Sequence, residues 1–148
     1  MKAIIIKKAL LTASVLSLLG YVGSASAHDQ AGALGAAAAA TEYYKVTCYD
    51  DGAGPTASLS LQVIDLAPVA APLVSVQVLK GILVKNTTDA VDGNAAYSPA
   101  LSLAGGNGAY SVIVDKTAIG AETYSLQYHC LTSAGAHTGS LIAPLQNQ

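Results

Sequence analysis

The sequence contains no phenylalanine, no tryptophan and no arginine. A hydrophobic core therefore has to be built from leucine, valine, isoleucine, alanine and tyrosine. The basic residues are seven lysines, three of which fall within residues 1–27, so the remainder carries four lysines against nine acids, a formal charge of −5. This balance excludes nucleic acid and anionic membrane surfaces as partners, because both require clustered basic side chains.

The first 27 residues have the three parts of a secretory signal peptide. A basic start with Lys2, Lys7 and Lys8 precedes an apolar stretch at 9–22 and a small-residue end at 25–27. The stretch is short for a membrane span, so an uncleaved anchor is the weaker alternative. We expect an exported chain, periplasmic or extracellular, with no stable membrane insertion after cleavage. Cleavage after Ala27 makes His28 the first residue, whereas cleavage after Ala25 leaves Ser26 first.

Two cysteines remain, Cys48 and Cys130. An exported chain meets an oxidising environment, and an even cysteine count then predicts a disulfide, with two buried free thiols as the alternative. The bridge closes a loop of about 82 residues, which the chain-entropy model values at roughly 4.5 kcal/mol.

The composition changes twice along the chain. Residues 28–41 consist mostly of alanine and glycine, and we interpret them as an N-terminal arm, either flexible or a marginal helix. From residue 42 onward apolar and polar residues alternate, which is typical of antiparallel strands with one wet face. The predicted strands are 42–49, 58–65, 73–79, 82–85, 109–115, 122–131 and 140–143.

These strands predict one all-β domain over 42–148, an antiparallel β-sandwich of about seven to eight strands. Each cysteine falls on the apolar face of its strand, so the two can meet between the sheets. Four tyrosines share that apolar alternation and are predicted core residues: Tyr44, Tyr110, Tyr124 and Tyr128.

Two motifs resemble known secreted domains. Tyr128-His129-Cys130 resembles the Tyr-x-Cys of immunoglobulin-like domains, and the segment 120–126 resembles a Gly-x-x-Tyr-x-Leu strand of bacterial secreted sandwich modules. The resemblance implies an immunoglobulin-like sandwich in which Cys130 bridges to the strand of Cys48. By analogy alone, it also implies a binding or structural role.

Histidine offers the clearest candidate chemistry. An N-terminal His28 would chelate copper through its α-amine and imidazole, and copper favours such nitrogen-rich sites. With a second histidine this arrangement resembles the histidine brace of lytic polysaccharide monooxygenases and related periplasmic copper carriers. His129 and His137 are the available partners. The alternative is that His28 is merely the residue after the cleavage site.

Other candidates are weaker. Asp89, Asp92 and Asn94 form a loop of oxygen ligands suited to calcium, although Asp-Gly-Asn is also ordinary turn chemistry. Tyr43 and Tyr49 lie on the polar face of their strand, where exposed tyrosine suits contact with carbohydrate or protein. The alternative for these two is simple strand propensity.

Enzyme signatures are absent from the sequence: it has no nucleophile elbow, no zinc-protease motif and no phosphate loop. Asp65, Asp115 and Glu122 could meet in space as paired carboxylates, but nothing in their spacing requires it, and two of them end strands, where an acid is normally solvated. We therefore predict a non-enzymatic protein without a cofactor.

The leading hypothesis is a secreted or periplasmic module that binds another exported protein or self-associates. The arm at 28–41 could then add to a neighbour's sheet edge, as in pilin-like subunits. The alternative hypothesis is a periplasmic copper-binding protein that uses His28.

Overall fold

The computed structural model describes residues 28–70 and 72–148, and the predicted signal peptide at 1–27 lies outside this range. The described chain forms strands and no helix, so none of it has the long apolar helix that crossing a membrane would require. The strands are β1 (His28–Leu34), β2 (Glu42–Tyr49), β3 (Ser58–Ala67), β4 (Val74–Lys80), β5 (Leu83–Thr88), β6 (Leu101–Leu103), β7 (Gly108–Lys116), β8 (Glu122–Leu131) and β9 (Gly139–Gln146).

Two antiparallel sheets pack face to face, which confirms the predicted all-β sandwich. One sheet has the order β1-β8-β3-β6 and the other β5-β4-β7-β2-β9. Cys48 of β2 and Cys130 of β8 form a disulfide between the sheets, with Cα atoms 5.6 Å apart. The disulfide is buried, and it is compatible with an oxidising, exported location.

Tyrosine takes the place of the missing phenylalanine and tryptophan in the core. Tyr44, Tyr110, Tyr124 and Tyr128 are all buried, as their alternation predicts. The hydroxyl oxygens of Tyr44 and Tyr124 lie 2.7 Å apart, and both hydroxyls donate to the buried carboxylate of Glu42. Burial raises the pKa of Tyr44 to about 12, so its phenol remains protonated and able to donate at neutral pH.

Strand β1 corrects the prediction of a flexible arm or marginal helix. Residues His28–Leu34 pair with β8 along their whole length, from His28 opposite Tyr128 to Leu34 opposite Glu122. Pairing outweighs the low strand propensity of alanine and glycine because the edge of β8 would otherwise be left open. Leu34 enters the core. The arm thus completes its own sheet, and adding it to a neighbour would require strand exchange.

Glycine is required at one position of β1. A Cβ atom at Gly32 would overlap the Tyr124 hydroxyl and come within 2.6 Å of the Glu42 carboxylate. The glycine that weakens strand propensity therefore allows β1 to approach the buried Glu42–tyrosine group.

Candidate metal sites and interaction surfaces

Three histidines that are distant in sequence lie side by side at the β1–β8 edge. His28 opens β1 opposite Tyr128, and His129 follows Tyr128 on β8. His137, just before β9, bridges back to Leu131. The ring centroids are 6.5 Å apart for His28 and His129, and 4.5 Å apart for His129 and His137. We call His28, His129 and His137 the histidine row. They are all the histidines in the sequence.

His129 occupies the middle of the row and is half-buried. Its Nδ1 atom is buried and has no hydrogen-bond partner among the described residues. Burial lowers its pKa, the neighbouring His137 and His28 lower it further, and only Asp29 acts in the opposite direction. The imidazole is therefore neutral at neutral pH, which is the form that binds a metal.

The spacing of His129 and His137 suits shared metal coordination, and His28 lies close to the same range. Two imidazoles bound to one ion at about 2.0–2.1 Å have centroids about 4.5 Å apart at a right angle and about 6.4 Å apart in a line. The separation of 4.5 Å between His129 and His137 matches ligands at a right angle, whereas 6.5 Å between His28 and His129 lies just beyond the linear limit. However, no three His, Cys, Asp or Glu side chains within 28–70 and 72–148 are already positioned to hold a metal. Binding would require the imidazoles to rotate, and His137 is free to do so because it is exposed.

The predicted calcium loop is divided between two structural roles. Asn94 is exposed, and its side-chain oxygen accepts a hydrogen bond from the Ala96 amide at 2.6 Å, which is turn chemistry. Asp89 is buried and accepts backbone amides of Asp65 and Val91. Asp92 accepts the Ala70 amide, while its other carboxylate oxygen has no partner in the described chain.

Sequence reasoning missed two buried acids in the same region. Asp65, near the end of β3, is 0% exposed, so the expectation that this strand-end acid is solvated is wrong, and Asp115 is half-buried. Glu122, at the start of β8, is 1% exposed. The signal was present, because both residues continue the apolar alternation of their strands. One oxygen of Asp65 and both oxygens of Glu122 lack partners among the described residues. We call Asp65, Asp89, Asp92 and Glu122 the acidic cluster.

The charges of the acidic cluster act on one another. The pKa of Asp65 is raised to about 6. Burial is the largest cause, the Val74 amide lowers the pKa, and the carboxylates of Asp92, Glu122 and Asp89 raise it. Burial also raises the pKa of Glu122, with Asp92 acting in the same direction and Lys116 in the opposite one. The charge of Lys116 is not available to Glu122 alone. The Lys116 ammonium donates to backbone carbonyls of Gly35, Ala37 and Gly120.

The structure does not combine Tyr43 and Tyr49 into one surface. Both lie on β2, but they are six positions apart, about 20 Å along an extended strand. Tyr43 is half-buried, its hydroxyl lies 2.9 Å from the Ser111 hydroxyl, and it lines an open groove of about 670 Å³ on the outer face of its sheet. Tyr49 is 41% exposed and packs over Gly139 at the other end of the strand.

The five-stranded sheet has two apolar edges. At one edge the β4–β5 hairpin exposes Ile82, Leu83 and Val84, and at the other β9 exposes Leu141 and Leu145. Strand β9 has the sequence GSLIAPLQ, which includes no charged residue. Edge strands are normally protected by charge, proline or bulges, and in β9 this protection is limited to Pro144 and a register shift on the neighbouring β2.

Comparison with known proteins yields no family for this chain. No family model matches the sequence, and no curated protein or solved structure matches it either.

Proposed function

We propose that this protein is an exported, non-enzymatic β-sandwich that acts as a binding module, with the histidine row as its metal site and copper as the metal. The observation that carries the proposal is the convergence of His28, His129 and His137 into one row. None of the three histidines belongs to the hydrophobic core, although the His28 ring packs 5.3 Å from the ring of the core residue Tyr128.

The ligand chemistry favours copper. Imidazole nitrogens suit copper and zinc, and copper binds a given nitrogen site more tightly in the usual order of divalent metals. Cleavage after Ala27 would add the α-amine of His28 to the same set of donors. The inter-sheet disulfide adjoins this site, because Cys130 follows His129 on β8 and fixes the strand that carries it.

A copper titration of the exported protein tests the proposal. We expect one Cu²⁺ per chain, and His129→Ala should lower the affinity by more than about 100-fold, since even outer-shell changes cost 10- to 100-fold. Ser133→Ala is the matched control, because Ser133 is exposed in the same loop as His137 and belongs to no candidate site. Equal affinities for His129→Ala and Ser133→Ala would contradict the proposal.

Self-association is a second candidate function, favoured by the uncharged, apolar edge of β9. We propose a second copy of this chain as the partner. Two β9 strands related by a two-fold axis would run antiparallel and continue the five-stranded sheet across the contact. Sedimentation should show a dimer that Leu141→Lys dissociates. Ile119→Lys, which alters an exposed apolar residue outside β9, should leave it intact. A monomeric wild-type chain would exclude this function.

A further inference from the structure

We propose that the acidic cluster binds a calcium ion through Asp65, Asp92 and Glu122, at the opposite end of the sandwich from the histidine row. This site goes beyond the proposed copper function and uses none of its residues. Asp89 would act as a positioning residue, since its carboxylate already accepts the backbone amides of Asp65 and Val91.

The first argument is the unpartnered carboxylate oxygens. Asp65 and Glu122 are 0% and 1% exposed, yet Oδ1 of Asp65 and both oxygens of Glu122 have no hydrogen-bond partner within the described residues. Oδ1 of Asp92 is likewise buried and unpartnered. Buried polar atoms are nearly always paired, so four orphaned oxygens in one region indicate a missing partner.

The second argument is charge. The acidic cluster carries four carboxylates, and the lysine that acts on Glu122 is Lys116, whose ammonium is already bound to three backbone carbonyls. Adjacent buried carboxylates repel one another unless a cation or protons compensate them. A divalent cation would compensate two of the charges at once.

The third argument identifies the cation. The donors are carboxylate oxygens, with neither nitrogen nor sulfur among them, which suits hard ions. Calcium tolerates irregular geometry with six to eight oxygen ligands, whereas magnesium requires a nearly ideal octahedron. The carboxylates are not yet gathered around one point. Calcium binding would require Asp92, which lies on the largely exposed connection between β5 and β6, to approach Asp65 and Glu122 on their paired strands.

Calcium-dependent thermal unfolding of the full exported chain tests the site. At neutral pH, millimolar CaCl₂ should raise the Tm by roughly 5 °C or more relative to EDTA, because a ligand that binds only the folded state stabilises it. MgCl₂ should give a smaller shift. Calorimetric titration should show one Ca²⁺ per chain.

Matched substitutions separate this site from general charge effects. Asp92→Asn keeps an acceptor for the Ala70 amide but removes the charge, and it should abolish most of the calcium-dependent Tm shift. Asp51→Asn alters an exposed turn acid at the other end of the sandwich and should retain the full shift. His129→Ala should also retain it, so that failure of the calcium site is distinguishable from failure of the copper site. No Tm shift in the wild type, or an undiminished shift in Asp92→Asn, would overturn the proposal.

Discussion

Strand β8 connects two regions of opposite chemistry. At its start, Glu122 belongs to an acidic cluster whose key carboxylates are buried and offer only oxygen. Near its end, His129 belongs to a histidine row that is half-buried to exposed and offers nitrogen. Both regions contain buried polar atoms without a partner in the described chain. The difference in donor type means that the two ends would select different metals, a hard cation at one and copper at the other.

The two ends also differ in how the fold produces them. Asp65 and Glu122 occupy core positions of β3 and β8, so their burial follows from the same alternation that builds the core. His129 occupies the outer face of β8, and its neighbours come from β1 and from the loop before β9. The acidic cluster is thus part of the folding unit, whereas the histidine row lies on its surface. Substitution of Asp65 or Glu122 should therefore disturb folding as well as binding, whereas substitution of His129 should disturb binding alone.

Loss of the disulfide should have the largest effect on stability. The joint substitution Cys48→Ala and Cys130→Ala should lower the free energy of unfolding by about 2–5 kcal/mol, measured by urea denaturation. Because Cys130 adjoins His129, copper affinity should fall as well, while the calcium-dependent Tm shift should persist in the fraction that folds. Unchanged copper affinity would show that the histidine row does not depend on the bridge.

Substitution of Glu42 should have the next largest effect. Glu42→Ala leaves the buried hydroxyls of Tyr44 and Tyr124 and the Ala33 amide without their acceptor, which should cost about 2–4 kcal/mol. Tyr43→Phe is the control, since it removes a hydroxyl that is only partly buried and should cost less than about 1 kcal/mol. Equal losses in the two variants would refute the structural role of Glu42.

A methyl group at Gly32 should destabilise the edge that carries His28. Gly32→Ala forces a Cβ against the Tyr124 hydroxyl and should cost about 1–3 kcal/mol. Hydrogen exchange should accelerate along β1 and much less along β4. Ala31→Ser, a change at an exposed position of the same strand, should leave exchange unaltered.

The acidic cluster should produce a smaller, pH-dependent effect. The folded-state pKa of Asp65 is raised to about 6 from 3.8, so its contribution to stability is greatest below pH 3.8 and is lost as the pH rises through 6. In EDTA, the wild-type Tm should therefore decline across this window. Asp65→Asn should make the Tm less dependent on pH. If Asp65→Asn does not fold, Asp92→Asn provides a second test. A Tm that rises with pH would contradict the buried, mutually repelling arrangement.

The sequence predicted the elements that depend on local alternation. The strands from β2 to β5 and from β7 to β9 and the four core tyrosines follow from a period of two. The inter-sheet disulfide follows from the even cysteine count together with the position of both cysteines on the apolar face. Strand β1 was missed because alanine and glycine carry no alternating signal, and its formation depends on the open edge of β8. The three-residue strand β6 is too short to show an alternating pattern.

The candidate sites depended on contacts that no local pattern contains. The three histidines were identified as candidates by ligand type, but their proximity results from the register of β1 on β8 and from the loop before β9. The acidic cluster was misjudged because a strand end usually faces solvent. The alternation that placed Asp65 and Glu122 with Val63 and Tyr124 was the better guide.

Native mass spectrometry of the exported protein with one equivalent of Cu²⁺ tests the central claim most directly. The account predicts the mass of a chain that begins at His28, reduced by the two hydrogens that disulfide formation removes and increased by one copper ion. The His129→Ala variant should not retain the copper. A chain that retains no copper, or a His129→Ala variant that retains it equally well, would contradict the account.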